Sequence, residues 1–380
     1  MRTTEGKPTL QVIALGDREL ADAMAAALSA EALPDRFTHG FHTYPAGLHP
    51  DAAAGLLALF PGDAVADPFC GGGTVLVEGR AAGRATLGVD LNPIAVRVAR
   101  TRTATPDDAL LTRFRSAARK LTEAARKARD LPPPAILEPV RAWYAEHALW
   151  ELESLRRGIA EADPSVRPWL EAVLSSILVK VSWRESDTSS RRKKHRRPPG
   201  TTAVLFHKKV RELARNMAAL RDAVPEGTPE AVVWQGDARR LHVDRPVPLV
   251  LTSPPYPGTY DYLPMQHLRR VWLGDPRLDD AGEVGARRDW RRGARKALAA
   301  WNRDTAAWTR AAAESLATGG HLVVVIGDGL TPAGEVDTSE PTEAAATSAG
   351  LRPVARASLA RPDHARGTAR WEHVFAFRKP

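Results

Sequence analysis

With 380 residues, 43% of them hydrophobic, the chain is long enough for one large α/β domain with a substantial insertion. Its single cysteine excludes an internal disulfide and a cysteine zinc cluster. The net charge of +9 is concentrated: residues 111–220 hold 23 Lys and Arg against 12 Asp and Glu, and the remainder is close to neutral. A basic module set into a neutral body suits a polyanionic substrate. No charged-then-apolar leader opens the chain, and no apolar run approaches the ~20 residues of a membrane span. A cytoplasmic protein with no membrane partner is the expectation.

In chain order, Leu10 to Leu15 reads as an edge strand and Glu19 to Leu28 as a packing helix. His39 and His42 stand three apart with no third ligand nearby, so no metal site is expected. A helix is predicted from Pro50 to Phe60, then a strand over Asp63-Ala64-Val65-Ala66. Thr74 to Ala82 reads as the next helix, ending at Gly83. Between strand and helix lies Asp67-Pro68-Phe69-Cys70-Gly71-Gly72-Gly73-Thr74. A glycine cluster there lets a ligand approach the backbone at the carboxyl edge of a parallel sheet. The lysine and spacing of a phosphate-cradling loop are absent. A second strand, Ala85 to Asp90, ends in an acid placed to take a ribose hydroxyl pair, and Asn92-Pro93 opens another helix. A dinucleotide and an adenosine cofactor both fit this pattern.

After Arg102 the β-α alternation stops. Helices are predicted over Asp107–Asp130, Glu138–Ala162 and Val166–Ser182, with Trp143, Tyr144, Trp150 and Trp169 at helical spacing as core. A loop follows, with six Lys or Arg within residues 191–197 before Pro198-Pro199-Gly200. Most such charge runs are solvated faces. This one lies in the basic region beside serine and threonine hydroxyls, so Arg184, Arg191, Arg192, Lys193, Lys194, Arg196 and Arg197 are expected to track a nucleic-acid backbone. Thr201 to Ala223 reads as a basic helix back to the core.

The sheet resumes at Ala231–Trp234, followed by Gln235-Gly236-Asp237. Val247-Pro248-Leu249-Val250 then leads into Leu251-Thr252-Ser253-Pro254-Pro255-Tyr256. Two prolines end the strand and leave a stiff tip with one hydroxyl, outward carbonyls and one ring. Tyr256 is suited to stack on a base while Ser253 Oγ and the Pro254 carbonyl accept from an amino group. Tyr260 and Tyr262 add aromatics beside the tip, and Asp279–Trp308 is arginine-rich and mostly helical. Strands near residues 63, 85, 231, 247, 321, 351 and 373 make seven, the last two suited to an antiparallel edge hairpin.

Asp67–Thr74, Thr252–Tyr256 and His39-Gly40-Phe41-His42-Thr43-Tyr44-Pro45-Ala46 together resemble the S-adenosylmethionine-dependent amino-methyltransferases of DNA bases. The resemblance covers roughly residues 38–102 and 231–265. It implies an α/β, Rossmann-like, seven-stranded class I methyltransferase sheet with a basic helical insertion between the two motifs. The division it implies is an extension over 1–37, a cofactor half over 38–103, an insertion over 104–229 and a catalytic half over 230–380. It implies S-adenosyl-L-methionine at His42, Tyr44, Asp67, Phe69, Gly71, Gly73, Thr74, Asp90, Asn92 and Asp237. Catalysis falls to Ser253, Pro254, Pro255 and Tyr256, and Tyr260 joins the basic loop as a nucleic-acid contact. DNA is the implied partner, with a restriction nuclease as a further candidate.

In that reading the acceptors at Ser253 and Pro254 favour a pyramidal amine nitrogen and aim its lone pair, so transfer is direct. A carbon-5 cytosine mechanism needs an attacking cysteine, and Cys70 lies inside the cofactor loop. A base inside a duplex is unreachable, so it must be flipped out. Within the family, Ser-Pro-Pro-Tyr is more usual for cytosine N4 and Asp-Pro-Pro-Tyr for adenine N6. The motif order here is commoner among the adenine enzymes. Guanine-N2 tRNA methyltransferases share the glycine loop and a Pro-Pro-Tyr-type motif, which makes RNA the alternative substrate. A non-catalytic nucleic-acid-binding regulator on the same fold is a third reading.

Overall fold

Short apolar runs, each stopped by glycine, proline or an acid, build one central sheet. The computed structural model describes residues 12–30, 36–42, 44, 47–194, 197–275, 282–363 and 368–380. In chain order the strands are β1 (Val12–Gly16), β2 (Ala64–Asp67), β3 (Ala85–Asp90), β4 (Arg184–Ser186), β5 (Ser189–Arg192), β6 (Val232–Gln235), β7 (Val247–Thr252), β8 (Leu316–Gly327), β9 (Gly329–Thr331), β10 (Gly334–Val336), β11 (Arg352–Asp363) and β12 (Thr368–Arg378). Eight of them form one sheet in the order β1-β11-β12-β8-β7-β2-β3-β6, and β4–β5 and β9–β10 are separate hairpins.

From β6 through β8 the neighbours are parallel; β12, β11 and β1 then alternate antiparallel. This is the expected Rossmann-like arrangement, with one addition. The predicted edge hairpin exists as β11–β12, but β1 pairs along β11 and becomes the edge itself. Leu10 and Gln11 of the predicted first strand lie outside the described residues. Both faces of the central strands are covered, so Leu249 to Leu251 and Leu322 to Ile326 are buried without alternation. Helices Arg18–Leu28 and Pro50–Leu59 pack on one face, and helix Ala294–Ser315 covers the other with Trp301 and Trp308. Among the described residues no helix is long and apolar enough to cross a membrane.

The chain leaves the sheet after β3 and returns at β6, and the intervening helices share one core. In helix Asp108–Lys127 the buried positions are Leu111, Phe114, Ala118, Thr122 and Ala125, a single stripe at helical spacing. Asp107 caps it by accepting from Leu110 N at 2.7 Å. Helices Glu146–Ala160, Arg167–Val181 and Thr201–Ala223 complete this core, which also takes in Phe41, Leu268, Val271 and Trp272. The helix predicted over Glu138–Ala162 is broken: a short turn of helix, Glu138–Arg141, precedes Glu146–Ala160. The break lets Tyr144 turn edge-on to Trp272 at 5.8 Å, and frees the Trp143 carbonyl to accept from Trp183 N at 2.8 Å. Of the basic segment predicted as a loop, residues 184–192 fold instead into the hairpin β4–β5, which takes in Arg191 and Arg192.

Candidate active site

Strands β2 and β7 are parallel neighbours, so their carboxyl ends emerge together where the chain direction across the sheet reverses. Thr252, last in β7, donates its hydroxyl to Asp67 Oδ1 at 2.7 Å, and Phe69 N donates to the same oxygen at 3.1 Å. Phe69 to Gly73 then wrap back over the end of β3. Gly71 N donates to Asp90 Oδ2 at 2.9 Å, and Asn92 N donates to Oδ1 at 2.8 Å. Gly73 has φ +82°, and a Cβ there would lie 3.0 Å from Ala99, so only glycine lets the loop close onto the next helix.

This loop, Asp90, Tyr44 and Ser253 line a cavity of about 900 Å³ including its mouth. Burial pushes the Asp67 carboxyl up to about 7, against the pull of its Thr252 and Phe69 hydrogen bonds. Burial likewise pushes Asp90 up to about 6. A buried and a half-buried carboxyl, a bare glycine backbone and a tyrosine ring suit a cationic ligand that carries a diol.

The tip after β7 divides space in two. Ser253 and Pro255 line the cavity, while Ser253 and Tyr256 line a second hollow with His49, Arg361 and Glu372. Tyr256 lies against the backbone of Gly327, and its hydroxyl donates to Glu372 Oε1 at 3.0 Å. Arg361 Nε holds the other oxygen of Glu372 at 2.9 Å.

Residues 41–132 match the family model described as UPF0020: RMKL-like, methyltransferase domain. Over that stretch, which holds the glycine loop and strands β2 and β3, the chain is similar to a methyltransferase domain. It is 26% identical over 274 residues to the type II methyltransferase M.MvaI of Kocuria varians, covering 65% of this chain and 60% of that protein. This chain therefore matches less than two thirds of that curated relative's length. Among solved structures it is similar to TrmN from Thermus thermophilus, with 14% identity, TM-score 0.35, and 88% and 49% of the two chains covered. It is also similar to the rRNA methyltransferase aviRa from Streptomyces viridochromogenes, with 14% identity, TM-score 0.32, and 94% and 92% covered. At such scores the strand order, and not the likeness, is the ground for the fold.

Of the residues predicted for the cofactor, the fold brings Tyr44, Asp67, Phe69, Gly71, Thr74, Asp90, Asn92 and Asp237 to the cavity wall. His42 is not there. It is buried and faces Ser175 Oγ of the inserted helices at 3.0 Å, so it joins the N-terminal segment to that core. Thr43, Pro45 and Ala46 lie outside the described residues. Gly73 shapes the loop without lining the cavity, and Pro254 is buried behind the tip. Asp237 reaches the wall, but both its oxygens accept from Arg239, at 2.9 and 2.7 Å. Burial raises that carboxyl, and the Arg239 guanidinium outweighs it and holds it below the usual range.

Tyr262, expected beside the tip, lines the same wall, and sequence reasoning missed Glu283 there. Glu283 accepts from Tyr262 N and pairs with Arg288 at 2.6 Å, and burial pushes its carboxyl up to about 7. Its place in an arginine-rich stretch carried no local sign of this. Asp328, Asp337 and His373 form a further unpredicted group whose ligand-type atoms lie within 4.8 Å of one another. There Asp328 Oδ1 accepts from Thr338 N at 3.0 Å and faces His373 Nε2 at 3.1 Å.

The basic hairpin borders a groove of about 1480 Å³ lined by Lys180, Arg184, Lys193, Arg197, Tyr260 and Arg269, with Glu185 and Asp187 among them. Tyr260 meets Tyr262 at 5.5 Å between ring centroids, so this groove adjoins the cofactor cavity. Arg184 donates to the carbonyls of Ser189, Asp187 and Met265, a use of its guanidinium that holds the hairpin in place. Arg192 stacks over Trp183 at 4.8 Å and Lys194 over the same ring at 5.3 Å, and Arg191 is exposed. Arg196 lies outside the described residues.

Proposed function

We propose that this chain methylates an exocyclic amine of a nucleic-acid base, in DNA, with cytosine N4 favoured over adenine N6. The observation that carries the reading is that Ser253 belongs to two walls at once. One wall faces the loop-lined cavity with the Asp67 and Asp90 carboxyls, and the other faces the hollow that holds Tyr256. An amine seated at Ser253 from the hollow therefore looks into the cavity.

Asp67, Asp90, Tyr44 and the Phe69–Gly73 backbone would hold S-adenosylmethionine, with Asp90 taking the ribose hydroxyls and the two carboxyls favouring the positive charge. When bound, the cofactor supplies the methyl group. Ser253 Oγ accepts from an amine N–H group, which orients the nitrogen lone pair. The proton displaced from nitrogen leaves through the open hollow. Tyr256, held by Glu372 and by the flat backbone at Gly327, gives an extruded base a stacking face. Residues 104–229 act as the nucleic-acid-binding part, with the groove between the hairpin and Tyr260 following the phosphate backbone.

Similarity to a type II methyltransferase supports DNA, and serine at the head of Ser253–Tyr256 supports cytosine. The deciding test is methyl transfer from labelled S-adenosylmethionine to genomic DNA and to bulk tRNA, read by nucleoside mass analysis. N4-methylcytosine in DNA is the expected product. N6-methyladenine moves the base, N2-methylguanine in tRNA alone moves the substrate to RNA, and no product with cofactor bound overturns the enzyme reading.

A further inference from the structure

The arginine-rich stretch ahead of β8 has no part in the cavity or the basic groove so far. Residues 287–296 hold six Lys or Arg against one acid, Asp289. They form helix Arg287–Arg292 and the first turn of helix Ala294–Ser315. Trp290 and Ala297 face the core, and Arg287, Arg291, Arg292, Arg295 and Lys296 are exposed. Arg288 differs, because Glu283 and Asp261 take its guanidinium at 2.6 and 3.3 Å. Asp289 meets Arg292 at 3.6 Å, while Arg291, Arg295 and Lys296 have no ion pair among the described residues. Arg287 and Arg291 stand four apart in one helix, a like-charge pair that costs the helix stability. A bound polyanion relieves that repulsion.

Topology puts this face at the candidate site. β8 runs parallel to β7, and its first residue, Leu316, pairs with Val247 at the amino end of β7. The 22-residue helix leading into β8 therefore begins near the other edge, where β7 ends in the Ser253–Tyr256 tip. Three contacts fasten it there. Gly258 N donates to the Gly285 carbonyl at 2.9 Å, Arg287 N to the Tyr260 carbonyl at 3.0 Å, and Arg288 N to Asp261 Oδ1 at 2.9 Å. Tyr260 also lines the groove beside the basic hairpin. The two basic surfaces meet at Tyr260, next to the tip.

We infer that Arg291, Arg292, Arg295 and Lys296 form a second phosphate-binding face, which continues the hairpin's groove past Tyr260 along the backbone of duplex DNA. Guanidinium and ammonium groups pair with phosphate oxygens and fix register without reading sequence. Contacts on two sides of the tip hold the duplex while one nucleotide is extruded. This inference rests on the nucleic-acid reading and extends the contact outside residues 104–229.

The test needs no target sequence, because the phosphate contribution to binding is independent of sequence. Binding of the full chain to a duplex oligonucleotide is measured by fluorescence anisotropy over a range of salt. Arg295→Ala is compared with Arg310→Ala, an equal change of charge at an exposed position about 22 Å further along the same helix. Arg295→Ala is expected to lower the log–log salt slope by about 0.9, and Arg310→Ala to leave it unchanged. Replacing all four cations with alanine is expected to weaken binding about tenfold or more at about 0.1 M salt, with cofactor affinity and melting temperature kept. Equal effects of Arg295→Ala and Arg310→Ala mean that only net charge counts, and overturn the face. Unchanged slopes in Arg295→Ala and in the fourfold variant also overturn it, and leave base methylation standing. If the fourfold variant does not fold, the two single variants decide. A wild-type protein that binds tRNA and no duplex DNA, or neither, overturns this face and the DNA reading together.

Discussion

The glycine loop after β2 and the basic hairpin β4–β5 are both short irregular stretches in the sequence, yet they are built on opposite terms. In the loop the backbone makes the polar contacts: Phe69 N to Asp67, Gly71 N to Asp90, Cys70 N to the Val89 carbonyl and Gly73 N to the Cys70 carbonyl. Such contacts fix one shape and leave side chains free to meet a ligand. In the hairpin the charged side chains themselves make the structure, with Arg184 bonded to three carbonyls and Arg192 and Lys194 stacked on Trp183. A motif of small residues therefore reports geometry, whereas a charge run reports only that some of its charges meet a partner.

The largest expected effect tests the tip beside the loop. Ser253→Ala and Tyr256→Ala should each lower methyl transfer about 10²-fold or more while cofactor binding by calorimetry is kept, and full activity in either breaks the site. Gly327→Ala should act next most strongly. A Cβ there would stand 2.6 Å from Tyr256 Cε2, so the ring must shift, and a loss of about tenfold in kcat/KM is expected with the cofactor still bound. An unchanged rate would mean that the ring's pose does not matter.

The carboxyls make the third prediction. Burial raises Asp67 to about 7 and Asp90 to about 6, and a cationic ligand favours their ionised forms. Cofactor binding between pH 6 and 7 should therefore release protons, and affinity should fall as pH drops through that window. Calorimetry in buffers of different ionisation enthalpy reads the release, and identical enthalpies in all of them contradict it. Asp90→Asn should weaken binding about tenfold and diminish the proton release.

The smallest effect separates the two kinds of hairpin cation. Replacing the exposed Arg191 with alanine should flatten the salt dependence of DNA binding by about 0.9 in log–log slope for each phosphate no longer neutralised, with the melting temperature little changed. Arg184→Ala should instead lower the melting temperature, because three carbonyls lose their donor. An Arg184→Ala variant that alters only the salt slope would make Arg184 a phosphate ligand and not a structural cation.

How much of the site was legible follows from the range of the interactions. Asp67, Gly71, Asp90 and Ser253 stand at strand ends that hydrophobic pattern and proline punctuation mark locally, and the structure gathers them at one cavity. His42 and Asp237 sit in stretches that match the same family pattern, but Ser175 and Arg239 take their polar atoms. His49, Glu283, Arg361 and Glu372 carry no local signal. Glu372 reaches Tyr256 across 116 positions of sequence, through the pairing of β12 with β8.

The sequence by itself determined the elements and the chemistry at their ends, because periodicity, glycine and proline act on neighbours a few residues apart. It determined the sheet's strands, the tip at Ser253–Tyr256 and the basic character of the insertion. Only the tertiary structure decided that β1 closes the antiparallel edge, that Ser253 stands between two hollows, and which cations the fold consumes. Those facts depend on strand register and on packing between distant segments, and no window of the sequence contains both partners.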